Sequence, residues 1–233
     1  HPKAQTASIK VRPSAFENLD IVNFNAPVDP NTVRQVLELM KARGFTRPLL
    51  WIYDSLNYDL LMDALPGSFR VYHATEDYFT PACFTPTDQR IKVGESFKDL
   101  QQSVRELLLK VNLVIACSEG VAESLRSKAG YGKPISVIEN GCDASFFRMA
   151  VPAWPDTVRN PYPPPIAIYQ GGINERLDYD LMCGVVEQMS DWTFVFAGKL
   201  ADSPGARRLF AYSNVSYLGT LNAEQLASAM KAS

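Results

Sequence analysis

"NLVIACSEGVAESLRSKAG", residues 112–130, followed closely by "ISVIENG", residues 135–141, decides the fold. The first seven residues read as a strand, Ser118 as a natural cap, and "EGVAESLRSKAG" as the helix it caps. "ISVIENG" is then a further strand running into Asn140-Gly141, a strong turn signal. Strand, helix, strand at this spacing is the repeat of a parallel α/β sheet.

The same rhythm extends toward the N-terminus. After an irregular opening, "DPNTVRQVLELMKARGF" reads as a helix capped by Asp29, with Pro30 in its first turn and Gly44 as its stop. Val33, Val36, Leu37 and Met40 recur at helical spacing and would face a core. "PLLWIYDS", residues 48–55, is a continuous apolar run, the look of a strand buried on both faces of a parallel sheet. A short helix, "YDLLMDAL", is closed by Pro66-Gly67, and "FRVYHATEDYF" gives the next strand with a polar exit. "SFKDLQQSVRELLLKV" is amphipathic, with Phe97, Leu100, Val104, Leu107 and Leu108 on one stripe.

Toward the C-terminus a break comes first. "VPAWPDTVRNPYPPP", residues 151–165, is proline-rich and aperiodic, so it is expected to be a linker between domains. Beyond it strand and helix alternate again: "IAIYQ", "LDYDLMCGVVEQM", "WTFVFAGK", "PGARRLFAY", "NVSYLG", and a helix from Asn222, whose pairing with Gln225 resembles a capping box. The expected fold class is α/β, with two doubly wound, Rossmann-like parallel-sheet domains: residues 1–150, the linker 151–165, and residues 166–233. The opening at His1 and the stop within a helical pattern are read as both domains being incomplete.

Composition narrows the function classes. Of 233 residues, 46% are hydrophobic and 21% charged, and the formal net charge is -2, so no basic block points to nucleic acid. No apolar run is long enough to span a bilayer. The four cysteines, Cys83, Cys117, Cys142 and Cys183, are scattered, with no C-x-x-C pair, and read as reduced thiols; disulfides are the alternative.

In open parallel sheets ligands bind beyond the carboxyl ends of strands. His73, Glu76 and Asp77 occupy such an end in "HATEDYF". A carboxylate there would serve as a base if burial raised its pKa; orientation of a substrate and plain loop solvation are the other readings. His73 reads equally as a hydrogen-bonded core histidine. In "QGGINER", Gly171 and Gly172 would let backbone approach a ligand, the following helix N-terminus would receive a diphosphate, and Arg176 would add a cation. Gly198 and Lys199 end the next strand and offer another cation for phosphate, or a solvated lysine after a tight turn. Asn140 and Gly141 read as a structural turn with Phe146 and Phe147 anchored at the domain seam, and Asp143 as a cap.

"ACSEGVAESLRSKAGYGKPISVIENGCDASFF", residues 116–147, and the restart "IAIYQGGINERLDYDLM" resemble glycosyltransferases of the two-Rossmann-domain GT-B architecture, especially bacterial group 1, family 4-like enzymes that build cell-surface polysaccharides. The resemblance runs from about Leu49 onward. It implies transfer of a sugar from a nucleotide-diphosphate donor to a glycan or lipid-linked acceptor, in the cytoplasm or peripherally at the inner membrane face, with no resident cofactor. Without a D-x-D motif it also implies metal independence; "DYD" at residues 178–180 reads as a helix cap. Catalytic roles would fall to Asp77, Glu76 and His73, and donor binding to Gly171, Gly172, Arg176, Gly198 and Lys199.

Departures from the pattern matter too. Many retaining members place an arginine and a lysine where Gly172 and Leu177 stand, so Arg176 and Lys199 become substitutes. The first glycine-rich loop is expected before His1 and a sugar-holding glutamate after Ser233, which would leave this piece inactive alone. A nucleotide-sugar epimerase on the same plan and a non-catalytic nucleotide-sugar-binding subunit remain open. A dinucleotide-dependent oxidoreductase fits less well, because the glycine fingerprint is wrong.

Overall fold

The computed structural model describes residues 9–14, 19–24, 28–53, 58–80, 97–155 and 162–233, without the side chains of Asp20, Phe24 and Phe97. Residues 54 and 55 of the expected first strand, Phe97's place on the helical stripe, Cys83, and 156–161 of the proline-rich segment lie outside this description. The described chain forms two compact units, one ending at Asn140 and the other beginning at Gly141.

In the first unit the opening is not irregular. β1 (Ile9–Pro13) pairs antiparallel with β2 (Asp20–Phe24), with Val11 opposite Val22. The apolar–charged alternation of "IKVR" is a strand pattern, but at five residues beside Pro13 it is a faint one. α1 (Pro30–Ala42) follows, its Asp29 cap accepting from the Thr32 amide at 2.6 Å. Val33 alone of its expected apolar stripe is fully buried, and Val36, Leu37 and Met40 are half-buried.

β3 (Leu49–Ile52), β4 (Phe69–Ala74), β5 (Leu113–Ala116) and β6 (Ile135–Val137) form a parallel sheet in chain order. Between them run α2 (Asp59–Ala64), α3 (Phe97–Lys110) and α4 (Glu119–Ser127). Consecutive order with right-handed crossovers brings all three helices to one face. There Met62, Val104, Leu107, Ala122 and Leu125 pack on Tyr72, Ala74, Val114 and Ala116 in one core. Arg70 ties the strand starts to the helices, its guanidinium donating to the carbonyls of Met62 and Lys110.

The second unit opens with α5 (Ala144–Met149), capped by Asp143 as expected. β7 (Ile166–Gln170), β8 (Thr193–Ala197) and β9 (Val215–Tyr217) then form a parallel sheet in chain order. α6 (Tyr179–Gln188) and α7 (Pro204–Leu209) lie between the strands, and α8 (Ala223–Ala232) closes the chain with the expected reciprocal capping box. Cys183, Val186, Phe196 and Leu209 centre the core. Asn214 fastens α6 to β9 by donating its one amide group to the carbonyls of Val186, Met189 and Trp192. α5 packs on α8, where Lys231 Nζ reaches the Arg148 carbonyl at 2.7 Å. Cys117, Cys142 and Cys183 are free thiols.

Candidate functional site

Each unit presents a set of residues at the carboxyl ends of its strands. In the first, β4 stops at Ala74 and "TEDYF" turns away toward α4. Asp77 is the bolt of that turn. Its Oδ1 accepts from the Phe79 amide at 2.9 Å and the Ser124 hydroxyl at 2.7 Å, and Oδ2 accepts from the Thr80 hydroxyl at 2.5 Å. Lys128 at the end of α4 donates to Thr80 Oγ1 at 2.5 Å.

Burial pushes the Asp77 carboxyl upward, but the hydrogen bonds from Thr80, Ser124 and the Phe79 amide, with the Lys128 charge, outweigh it and hold the pKa below the ordinary 3.8. The condition for a base, a raised pKa, is therefore not met at Asp77. Both oxygens are already engaged in holding the turn to α4. Ser124, which makes this attachment, carries no sequence signal beyond its place on the inner face of a helix.

His73 lies on the opposite face of the sheet from Tyr72 and Ala74. The Trp51 indole N–H donates to its Nδ1 at 3.4 Å, the Tyr53 ring lies 4.9 Å from the imidazole, and Nε2 is buried with no hydrogen-bond partner among the described residues. With Nδ1 accepting from Trp51, Nε2 is the ring nitrogen left to donate. Glu76 is half-buried in the same turn.

The second unit builds its strand ends from backbone. Gly171 follows β7 with φ +147° and Gly198 follows β8 with φ +141°. A Cβ on Gly198 would stand 1.8 Å from the Gly171 carbonyl oxygen, so the two loops touch where only glycine fits. Gly171 N donates to Ala197 O, Ile173 N to Lys199 O and Ala201 N to Ile173 O, which extends the strand pairing into the loops. Gly219, after β9, accepts from Gly198 N, and Tyr217 donates its hydroxyl to Gly198 O at 2.7 Å. Three adjacent strands thus end in glycine. The pattern stands in the sequence as "YQG", "FAG" and "YLG".

Gly172 and Lys199 are exposed on this platform, and among the described residues neither backbone N–H donates to a backbone carbonyl. Arg176, also exposed, stands in the same loop behind Asn174, whose side chain accepts from the Arg176 amide. The helix N-terminus after the loop is not open. Asp178 caps α6 by accepting from Leu181 N at 2.9 Å, and Asp180 in its first turn pairs with Arg208 at 2.5 Å. Asp180, and then Cys183, hold the Arg208 guanidinium above its ordinary pKa. A diphosphate at this helix end would meet two carboxylates, so its expected place on the helix dipole is already filled. Beside the platform lies a cavity of about 530 Å³, walled by Phe210, Val215 and Tyr217, with Arg207 and Asp202 at its rim.

Asn140 and Gly141 form no hydrogen-bonded turn among the described residues. Residues 138–143 are irregular and exposed, and Gly141 has open space around it. α5 leaves Phe147 36% exposed and has no fully buried residue.

No protein-family model matches the chain, and no curated protein matches it in sequence. Among solved structures, a sucrose-phosphate synthase from Thermosynechococcus elongatus is similar with a TM-score of 0.63 over 87% of this chain, at 15% identity. The fold is GT-B. The GT-B chain described here spans 52% of that structure's length. Two structures of a GtfA/B complex, one of them bound to UDP and GlcNAc, are similar at 11% and 12% identity over 41% of their own length, with TM-scores of 0.49 and 0.38. The GT-B fold accounts for the α/β rhythm in both units.

Proposed function

We propose that this chain is the core of a glycosyltransferase that moves a sugar from a nucleotide-diphosphate donor to an acceptor hydroxyl, in the synthesis of a cell-surface polysaccharide or glycolipid. The observation that carries this reading is the glycine platform at the ends of β7, β8 and β9. Its Gly172 and Lys199 amides, which donate to no backbone carbonyl among the described residues, would receive the diphosphate oxygens, with the Lys199 and Arg176 side chains adding charge. Phe210 and Tyr217 would wall the cavity for the base. Such donors stabilise a leaving diphosphate as charge develops on it, and fixed amides do so at little reorganisation cost.

In the first unit Glu76 would orient the substrate, and His73 would pack beneath the strand end with Trp51 and Tyr53. Asp77 would keep the turn in place. A metal-independent reaction, a cytoplasmic location and attachment at the inner membrane face belong to the same proposal. No helix among the described residues is long and apolar enough to cross a membrane.

One observation favours a second reading, a nucleotide-sugar-binding subunit without transfer. The first turn of α6 is occupied by Asp178 and Asp180, and Gly172 and Leu177 stand where the resembling enzymes carry cations. The test is nucleoside-diphosphate release from a panel of sugar nucleotides, with a crude lipid or glycan acceptor, with and without chelator. Acceptor-dependent release that survives the chelator supports the transferase. Binding with no release from any donor supports the subunit.

A further inference from the structure

Tyr169, Phe196 and Tyr217 stand in register across β7, β8 and β9, each two positions before the glycine that ends its strand. Their rings form a row. Tyr169 lies 5.6 Å from Phe196, and Phe210, just past α7, lies 5.6 Å from Phe196 and 5.5 Å from Tyr217. Cross-strand aromatic packing stabilises a sheet, and that accounts for the rings. It does not account for the two hydroxyls, which reach forward into the glycine loops. Tyr169 donates to Gly172 O at 3.2 Å and Tyr217 to Gly198 O at 2.7 Å. Tyr217 is 40% exposed, so water is an alternative partner and burial does not force its hydroxyl onto a carbonyl.

A trans peptide group is planar, with its carbonyl and its N–H pointing to opposite sides. The Gly172–Ile173 peptide is held at both ends: Tyr169 has its carbonyl, and Ile173 N donates the other way to Lys199 O at 2.9 Å. The Gly198–Lys199 peptide is held at one end. Tyr217 has its carbonyl, and the Lys199 N–H on the far side donates to no backbone carbonyl among the described residues. Glycine leaves such a peptide free to turn over, and the turned peptide would put its oxygen where the N–H stands.

We propose that Tyr217 is a positioning residue of the donor site: its hydroxyl pins the Gly198 carbonyl and so keeps the Lys199 N–H, rather than an oxygen, turned to the diphosphate. This role rests on the glycine platform's being the donor site. A donor group fixed before the ligand arrives stabilises charge with little reorganisation, whereas a carbonyl oxygen in its place would repel the anion. The Tyr217 ring also walls the cavity beside the platform, so one side chain joins the place proposed for the base to the peptide that faces the phosphates.

The experiment compares the full chain with Tyr217→Phe, which keeps the ring and removes only the hydroxyl. Amide NMR is recorded without ligand and then through titration with uridine and guanosine diphosphates. Without ligand, the Lys199 amide resonance of the variant should shift or broaden, while the core amides of Val195 and Phe196 stay in place. Binding of the diphosphate that wild type takes should weaken about fivefold, the change that loss of one hydrogen bond brings. A Lys199 amide that the substitution leaves unmoved overturns the proposal, even if binding weakens, because Tyr217 would then act by touching the ligand itself. Equal affinity of variant and wild type for a nucleotide bound at the platform overturns it too, and leaves the donor-site reading standing. Wild-type shifts lying away from the platform, or no binding of either nucleotide, would instead overturn the donor-site reading and this role with it.

Discussion

Replacing Gly198 with alanine probes the platform where the structure is least forgiving. The new Cβ would lie 1.8 Å from the Gly171 carbonyl oxygen and 2.8 Å from its carbonyl carbon, both main-chain atoms that cannot rotate away. The backbone at +141° adds a conformation that alanine holds only at about 1–3 kcal/mol. Relief requires the β7 and β8 ends to part by more than an ångström, an overpacking cost of about 1–3 kcal/mol. Parting them breaks Gly171 N to Ala197 O or Ile173 N to Lys199 O, at about 0.5–1.5 kcal/mol each. Together these come to about 2.5–7.5 kcal/mol, which lowers the melting temperature by roughly 5–30 °C for a chain of this size. Gly172→Ala is the control. There a Cβ meets only the Asn174 side-chain nitrogen, at 2.9 Å, which can turn aside, so the change should stay below about 1 kcal/mol. Thermal and urea melts followed by circular dichroism read both variants. Equal stability of the two would refute the loop-on-loop packing.

Other substitutions test single contacts. Asp77→Asn should cost about 1–3 kcal/mol at neutral pH by weakening the tie to Ser124 and Thr80. Because the folded pKa is depressed, that carboxylate's contribution is present above its unfolded value and lost as pH falls through the folded one. Urea melts from pH 7 down to pH 2.5 should show wild type losing stability below about pH 4, and the variant losing less of it there. Asn214→Asp should destabilise about as much as Asn214→Ala, by about 1–3 kcal/mol, because a carboxylate cannot donate to the three carbonyls; chemical melts in which Asp stands at wild-type stability would contradict this. Tyr179→Phe removes a buried hydroxyl that has no partner among the described residues and should be neutral or stabilising by up to about 1 kcal/mol, with a clear fall in melting temperature as the opposing result.

Strand and helix alternation was legible because apolar runs and capped helices write themselves locally. β3, expected to be buried on both faces, instead ends the four-stranded order with Leu49 and Trp51 exposed, since an apolar run does not tell an edge strand from a central one. Ser118, Asp143 and the Asn222–Gln225 pair all cap where the residue types predicted. The β1–β2 ribbon was not read, since its two five-residue strands carry little periodicity and their pairing is a long-range choice. The site was half legible. Glycine after a strand marked Gly171 and Gly198, yet the contact that demands them spans two loops 27 positions apart and leaves no local trace. The charge state of Asp77 could not be read at all, because Ser124, 47 residues away, supplies one of the decisive donors. Asn140-Gly141 went the other way: a strong local turn signal stands in an exposed, irregular segment with no turn hydrogen bond among the described residues.

Whether the glycine platform receives a diphosphate is decided by amide NMR titration with uridine and guanosine diphosphates. Saturable shifts are expected at the amides of Gly172, Gly198 and Lys199, with binding weakened about tenfold by Lys199→Ala. Binding with shifts confined to other residues, or no binding of either nucleotide, would contradict this.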